Sequence, residues 1–209
     1  MVFKGTSKMA TINWEKEKVV LKQISDLYEL RRNTVDENKR KSIYRDIDSL
    51  SGLAAKFAVP NEYDKMISSI GAKGTNAYTS SERTVYINEI PANEFEKWLS
   101  IEAERFSELV LRLFHTELEA VYEEYNRSRD NDYWLAYEEM AKRLFKKHSY
   151  GTQTTIGTSE HLKNPSMEKI HQYFNDWYVP NNMAIIFSGD IDPDSTVDLI
   201  QKYFGSFKS

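Results

Sequence analysis

Two apolar stripes of helical period, separated by a short polar break, dictate how the amino-terminal part of this chain can fold. Val20, Ile24, Leu27 and Tyr28 fall at i, i+4, i+7 and i+8, so they line one side of a helix. Asn33-Thr34-Val35-Asp36 interrupts that side with polar, turn-forming groups. Ile43, Ile47, Leu50, Ala54 and Phe57 resume the period until Pro60, which has no N–H to continue it. Two amphipathic helices on so short a link predict an antiparallel helical hairpin. Its remaining faces are dense in Lys, Arg, Glu and Asp, the pattern of a solvated surface.

Downstream, helix and strand signals mix. A short helix is predicted from about Asn61 to Gly71, a residue suited to a left-handed cap. Residues 75–80 and 84–90 read as strands around a Ser81-Glu82-Arg83 turn. Asn93 with Glu96 has the spacing of a capping box that opens a helix carrying Phe95, Trp98 and Leu99. Thr116 with Glu119 repeats it and predicts one long helix to about Lys147. Ser166 opens another, with Met167, Ile170, Phe174 and Trp177 on one side. The apolar run 183–189 predicts a strand buried on both faces. A last helix follows Asp192-Pro193-Asp194 and ends near Gly205. There is no internal repeat, so the pattern implies one layered α/β or α+β domain with a helical insertion.

Composition excludes several function classes. Twenty-eight Lys and Arg against 32 Asp and Glu leave a net charge of -4, which advertises no phosphate-binding surface and argues against nucleic acid. No apolar run approaches the roughly 20 residues of a membrane span. The chain has no cysteine, so disulfides, thiolate zinc sites and cysteine nucleophiles are absent. Its first residues lack the pattern of a signal peptide.

The candidate chemistry is sparse on spacing alone. Glu117 and Glu124 lie close to two helical turns apart, with Val121 between them, so they share a helix face. Carboxylates beside an apolar residue are costly if they face inward without a cation or donor. Equally, that spacing describes an ordinary charged helix. His115, His148, His161 and His171 include no i, i+4 pair of the kind that holds zinc. The stretch Gly151-Thr152-Gln153-Thr154-Thr155-Ile156-Gly157 lacks the lysine of a phosphate loop, and no Gly-x-Ser-x-Gly elbow occurs.

Taken in order, however, the segments resemble the pitrilysin/insulinase family of zinc peptidases, whose metal helix reads His-x-x-Glu-His. In that family Met-x-Phe-x-Gly-Thr follows the metal helix, and this chain opens with Met1-Val2-Phe3-Lys4-Gly5-Thr6. Gly74-Thr75-Asn76-Ala77-Tyr78-Thr79-Ser80, with Thr84-Val85-Tyr86, is similar to the family's substrate-edge strand and its neighbour. The family's paired glutamates match Glu117 and Glu124. The remaining matches are His148-Ser149-Tyr150-Gly151, Ile156-Gly157-Thr158, Tyr178-Val179-Pro180-Asn181-Asn182-Met183 and Ser188-Gly189-Asp190-Ile191-Asp192. The resemblance covers the chain except about 11–60, which looks like a lineage-specific insertion.

That resemblance implies an α+β fold, a two-layer mixed sheet packed against helices, as one partial peptidase domain over 1–209 with the hairpin inserted. It implies an endopeptidase that hydrolyses peptides by metal-activated water. Glu124 would be the third zinc ligand, and Glu117 a carboxylate that orients or supports the site. Asn76, Ala77, Tyr78 and Thr79 would pair with an extended peptide or unfolded-protein substrate through backbone hydrogen bonds. Both histidine ligands and the general base are expected upstream of Met1, so this chain alone is expected to bind no zinc and to be inactive. The alternative is a non-catalytic structural or assembly subunit of the same family. A second family domain or subunit is the expected partner, self-association into a homodimer is expected of the isolated chain, and the resemblance points to a bacterial periplasm or cell envelope.

Overall fold

The computed structural model describes residues 1–209. The predicted hairpin is present as helices α1 (Trp14–Asn33) and α2 (Glu37–Ala55). Asn13 starts α1 by accepting from the Lys16 amide at 3.1 Å, and Asp36 starts α2 by accepting from Lys39 at 2.7 Å. Glu15 and Glu17 occupy the first turn of α1 and Arg31 and Arg32 its last, complementing the helix dipole. The Arg40 guanidinium donates to the Arg31 and Thr34 carbonyls and satisfies groups that the end of α1 leaves open. At the far end the hairpin closes on itself. Thr11 and Ala58 form an isolated antiparallel bridge, with Ile12 N–H donating to the Phe57 carbonyl at 2.7 Å. The buried residues are Val20, Ile24 and Tyr28 on α1, with Ile47 and Ala54 on α2.

The chain resolves into two compact units, residues 1–75, 88–113 and 166–209 in the first, 76–87 and 114–165 in the second. In the first unit, α3 (Glu62–Ser69) begins at Asn61 and stops before Gly71, whose φ of 80° is the left-handed conformation foreseen for it. Next come strands β1 (Lys73–Thr79) and β2 (Thr84–Glu89), a single two-stranded ribbon that continues into the second unit. Helix α4 (Phe95–Ser107) supplies Leu99, fully buried, and Ile101, which packs with Tyr63, Ile67 and Ile70 against Phe3, Met66 and Trp98. Burying one such aliphatic side chain contributes about 1.5–3 kcal/mol.

The Asn93/Glu96 capping box is not formed. Pro91 initiates a turn of 3-10 helix in which the Glu94 amide already bonds to the Pro91 carbonyl, and the Asn93 side chain turns to Glu94. Glu96 instead reaches the last helix of the chain, accepting from Lys202 at 2.7 Å and from the Tyr203 hydroxyl at 3.0 Å.

In the second unit, α5 (Phe114–Arg129) and α6 (Asp132–Leu144) replace the single long helix expected to Lys147. Asn131 is the cause. Its side chain accepts from the Trp134 amide at 3.3 Å, offering the backbone a new start in place of continuation. Thr116 is not a cap either, since α5 begins earlier, after Leu113 at a φ of 55°. Two short helices follow, α7 (Ser149–Thr152) and α8 (Ser159–Lys163).

Back in the first unit, Ser166 caps α9 (Met167–Trp177) by accepting from Lys169, and its hydroxyl donates to Glu29 of α1 at 2.6 Å. Asp192 caps α10 (Pro193–Phe204). The strand expected at 183–189 does not form. A strand needs a neighbour to take its backbone groups, and no other strand lies beside this segment. Only Phe187 is used, edge-on to Phe95 at 4.7 Å and Trp98 at 5.4 Å, while Ile186 is 87% exposed. The architecture is therefore dominated by helices with a small antiparallel ribbon, and within this chain the sheet goes no further.

The Glu96 contact makes the α4–α10 junction sensitive to acid. Hydrogen bonds from Lys202 and Tyr203 hold the Glu96 carboxyl below its ordinary value. A carboxyl lowered on folding stabilises above its unfolded-state pKa, and that stabilisation is lost as pH falls through the folded one. The pair is exposed, so salt screens it. Amide protection at the end of α10, measured relative to the intrinsic exchange rate at each pH, is expected to fall on acidification and in high salt, and unchanged protection under all conditions would refute the link.

Candidate functional site

The two glutamates and the ribbon edge both belong to the second unit and are described there. Phe114 and His115 bury the start of α5. One turn on, Glu117 is half-buried, Val121 is 38% exposed, and Glu124 is exposed. The pair thus shares a face, as its spacing requires, and that face is open to solvent rather than turned into the core. Burial therefore imposes no demand for a cation at Glu124.

The four histidines are spread over both units. His115 lies 3.7 Å from Glu119, one helical turn away. His148 starts α7 by accepting from the Tyr150 amide at 3.3 Å. His161 sits in α8, where its amide is bonded to Thr158, and His171 lies on α9 in the other unit. No group of three His, Cys, Asp or Glu side chains is close enough together to hold a metal. A catalytic zinc takes three protein ligands and keeps one open position. The residues present do not make that site by themselves, and Glu124 offers one oxygen donor toward it.

Strand β1 is exposed along nearly its whole length, whereas Val85, Tyr86 and Asn88 of β2 are half-buried. Of β1 only Ala77 is half-buried, and Tyr78 is 46% exposed. The Asn76 side chain accepts from the Ala77 amide at 2.8 Å. At the closed end, Thr79 and Thr84 hydroxyls lie 3.3 Å apart across the strands, and Ser80 N–H donates to the Arg83 carbonyl at 2.8 Å. A strand edge with unpaired backbone groups can accept another extended segment.

Two supports of this unit escaped sequence reasoning. Tyr150 is tied to the turn residue Glu82, whose hydrogen bond and charge raise its phenol above the ordinary value. Its ring meets Phe145 edge-on at 5.4 Å and His148 at 4.4 Å. Tyr122 joins α5 to α8, and hydrogen bonds with Lys163 and Ser159 lower its phenol. Tyr150 lay inside a motif already noted, but nothing in the motif named its partner. The first unit holds a third unforeseen feature, the buried Arg112 and Glu17 pair at 2.6 Å. The signal for it was present, an arginine within the apolar run Leu109-Val110-Leu111-Arg112-Leu113-Phe114 and a glutamate in helical register with Val20 and Ile24.

Comparison with known proteins supplies what this geometry does not. A family model described as insulinase (peptidase family M16) matches residues 49–158, just over half of the chain, and one described as the peptidase M16 inactive domain matches 166–209. An uncharacterized zinc protease of Bacillus subtilis, YmxG, is 29% identical over 136 residues, covering 64% of this chain and 33% of its own. The crystal structure of a protease from Helicobacter pylori superposes with a TM-score of 0.66 at 26% identity, covering 71% of this chain and 36% of that one. The first half of the periplasmic protease PqqL from Escherichia coli gives 0.63 at 22% identity, over 71% and 33% of the two chains, a likeness of fold. The chain spans about a third of the length of these relatives. No helix in it is long and apolar enough to cross a membrane.

Proposed function

Because the chain belongs to the insulinase family of peptidases, family M16, we propose that it forms part of one peptidase domain of a zinc-dependent endopeptidase. The observation that carries this reading is the family match over 49–158, which takes in residues 76–79, Glu117 and Glu124. In this reading Glu124 gives one carboxylate to a zinc ion whose histidine ligands and general base come from outside this chain. Glu117 orients and electrostatically supports that site. Asn76, Ala77, Tyr78 and Thr79 form the edge along which an extended peptide pairs, which their exposure supports. The segment 183–189 joins a mixed two-layer sheet once a neighbouring strand is supplied, and the hairpin at 11–60 is an insertion in the domain.

A second related domain completes the active unit, a reading supported by the fold likeness to a protein described as the first half of a periplasmic protease. The same description supports a place in the cell envelope. The test compares this chain with one extended upstream by the protein's own preceding sequence, through zinc content and peptide hydrolysis. The extended chain, with its partner domain, is expected to retain zinc in a one-to-one ratio and to cleave peptides, and the shorter chain to do neither. An extended protein that folds but holds no zinc would support the structural-subunit alternative. Stoichiometric zinc and hydrolysis by the 209-residue chain would overturn the assignment of its missing ligands.

A further inference from the structure

The turn at 80–83 pins one end of the β1–β2 ribbon, where Ser80 N–H donates to the Arg83 carbonyl at 2.8 Å, while burial holds the pairing only weakly along its length. A one-residue slip normally carries a buried face into solvent and is prohibited for that reason, whereas strands that are polar on both sides or contain glycine hold their register weakly. Here β1 reads Lys-Gly-Thr-Asn-Ala-Tyr-Thr with only Ala77 half-buried, β2 has Val85, Tyr86 and Asn88 half-buried and no residue fully buried, and Gly74 takes a left-handed φ of 59° near the start of β1. At the open end, away from that turn, a further contact is needed to hold the pairing.

The base of the ribbon carries such a contact. Thr75 hydroxyl donates to the Asn88 side-chain oxygen at 2.9 Å, directly across the strands. The Asn88 amide nitrogen donates in turn to the Tyr63 hydroxyl at 3.3 Å. That hydroxyl donates to Glu102 at 2.8 Å, and Glu102 is held by Arg105, with Nε at 3.2 Å and a second bond through Nη2. Tyr63, Glu102 and Arg105 are buried, with Arg105 stacked over the Phe3, Tyr63 and Phe106 rings. A buried polar chain of this kind is rigid because every member depends on its neighbours. Burial and the Glu102 charge push the Tyr63 phenol well above its ordinary value, so it remains a proton donor to the carboxylate. Only one end of the chain, Asn88 with Thr75, touches the ribbon.

We propose that Asn88 is a register-setting residue. Held by Tyr63 and Glu102, it fixes Thr75 opposite itself and thereby selects which backbone N–H and C=O groups of residues 76–79 face the free edge of β1. The substrate consequence rests on the reading that this edge pairs with an extended peptide. Asn88 acts through the strand and is a positioning residue, touching no substrate itself.

The experiment uses Asn88→Ala, with Tyr63→Phe as a second variant that keeps the ring. In the 209-residue chain, amide exchange within β1 and β2 is expected to accelerate about tenfold while α1 and α4 keep their protection. Cross-strand Hα contacts by NMR are expected to report more than one pairing. Unchanged protection with a single set of contacts in both variants would overturn the proposal. A labelled extended peptide alternating valine and lysine, added to the unmodified chain, separates this inference from the one beneath it. If that peptide protects no amide of 76–79, the edge-strand reading fails, while the register result stands or falls on the NMR contacts alone. If it protects them equally in the unmodified chain and in Asn88→Ala, the register inference fails. In the full-length peptidase, Asn88→Ala is expected to raise KM about tenfold for peptides long enough to lie along β1, with a smaller change in kcat. Parallel losses for long and short substrates would instead indicate general structural damage and count against the proposal.

Discussion

Replacing Arg112 with Met is expected to destabilise the chain by about 3–5 kcal/mol, the largest single effect on stability foreseen here. Arg112 is 2% exposed and Glu17 is fully buried, and they face each other through two hydrogen bonds of 2.6 and 2.9 Å. The same guanidinium donates to the carbonyls of Lys4, Thr6 and Met9. Removing it leaves a carboxylate without water or a counter-charge and three backbone acceptors without this donor. The double variant Arg112→Met with Glu17→Leu removes both charges and is expected to recover a large part of the loss, because a buried ion pair and a packed apolar pair are often of similar worth. Urea unfolding of the three proteins reads the difference. A single variant as stable as the parent to within about 0.5 kcal/mol would show that the site relaxes or admits water.

The second large effect concerns the metal. In the upstream-extended protein, Glu124→Gln is expected to weaken zinc binding by more than about a hundredfold, whereas Glu117→Gln costs about ten- to a hundredfold, as for groups that orient a ligand rather than bind the ion. Both positions are at least partly solvent-accessible on α5, so neither substitution should disturb packing. Zinc competition with a chelating dye measures the affinities, and thermal unfolding of the metal-free proteins controls for folding. Equal losses at the two positions, or a larger one at Glu117, would reverse the roles assigned to them.

Period and punctuation made much of the fold readable. The stripes at Val20 and Ile43 gave the helical hairpin, Gly71 gave the end of α3, and Asp192-Pro193 gave the start of α10. Local signals failed where a distant partner outbid them. Asn93 and Glu96 had capping-box spacing, but Lys202 and Tyr203 took the glutamate. The apolar stretch 183–189 had strand composition and found no neighbouring strand. The candidate site rests on a different signal. Glu117, Glu124 and residues 76–79 have unremarkable spacing, and the roles proposed for them rest on the order of motifs along the chain. The polar networks through Arg112 and Asn88 join residues far apart in sequence, so a local pattern can mark Arg112 and Glu17 singly as charges in apolar settings but cannot pair them.

The closed base of the helical hairpin suggests an easy excision, since Thr11 and Ala58 are already bridged and a short splice could rejoin the chain there. Glu17 makes that surgery treacherous. It lies on the removed segment yet neutralises an arginine that stays behind, so a shortened protein would inherit a stranded cation in its interior. The hairpin and the segment that carries Arg112 share one buried charge pair, so neither can be removed without repairing the other.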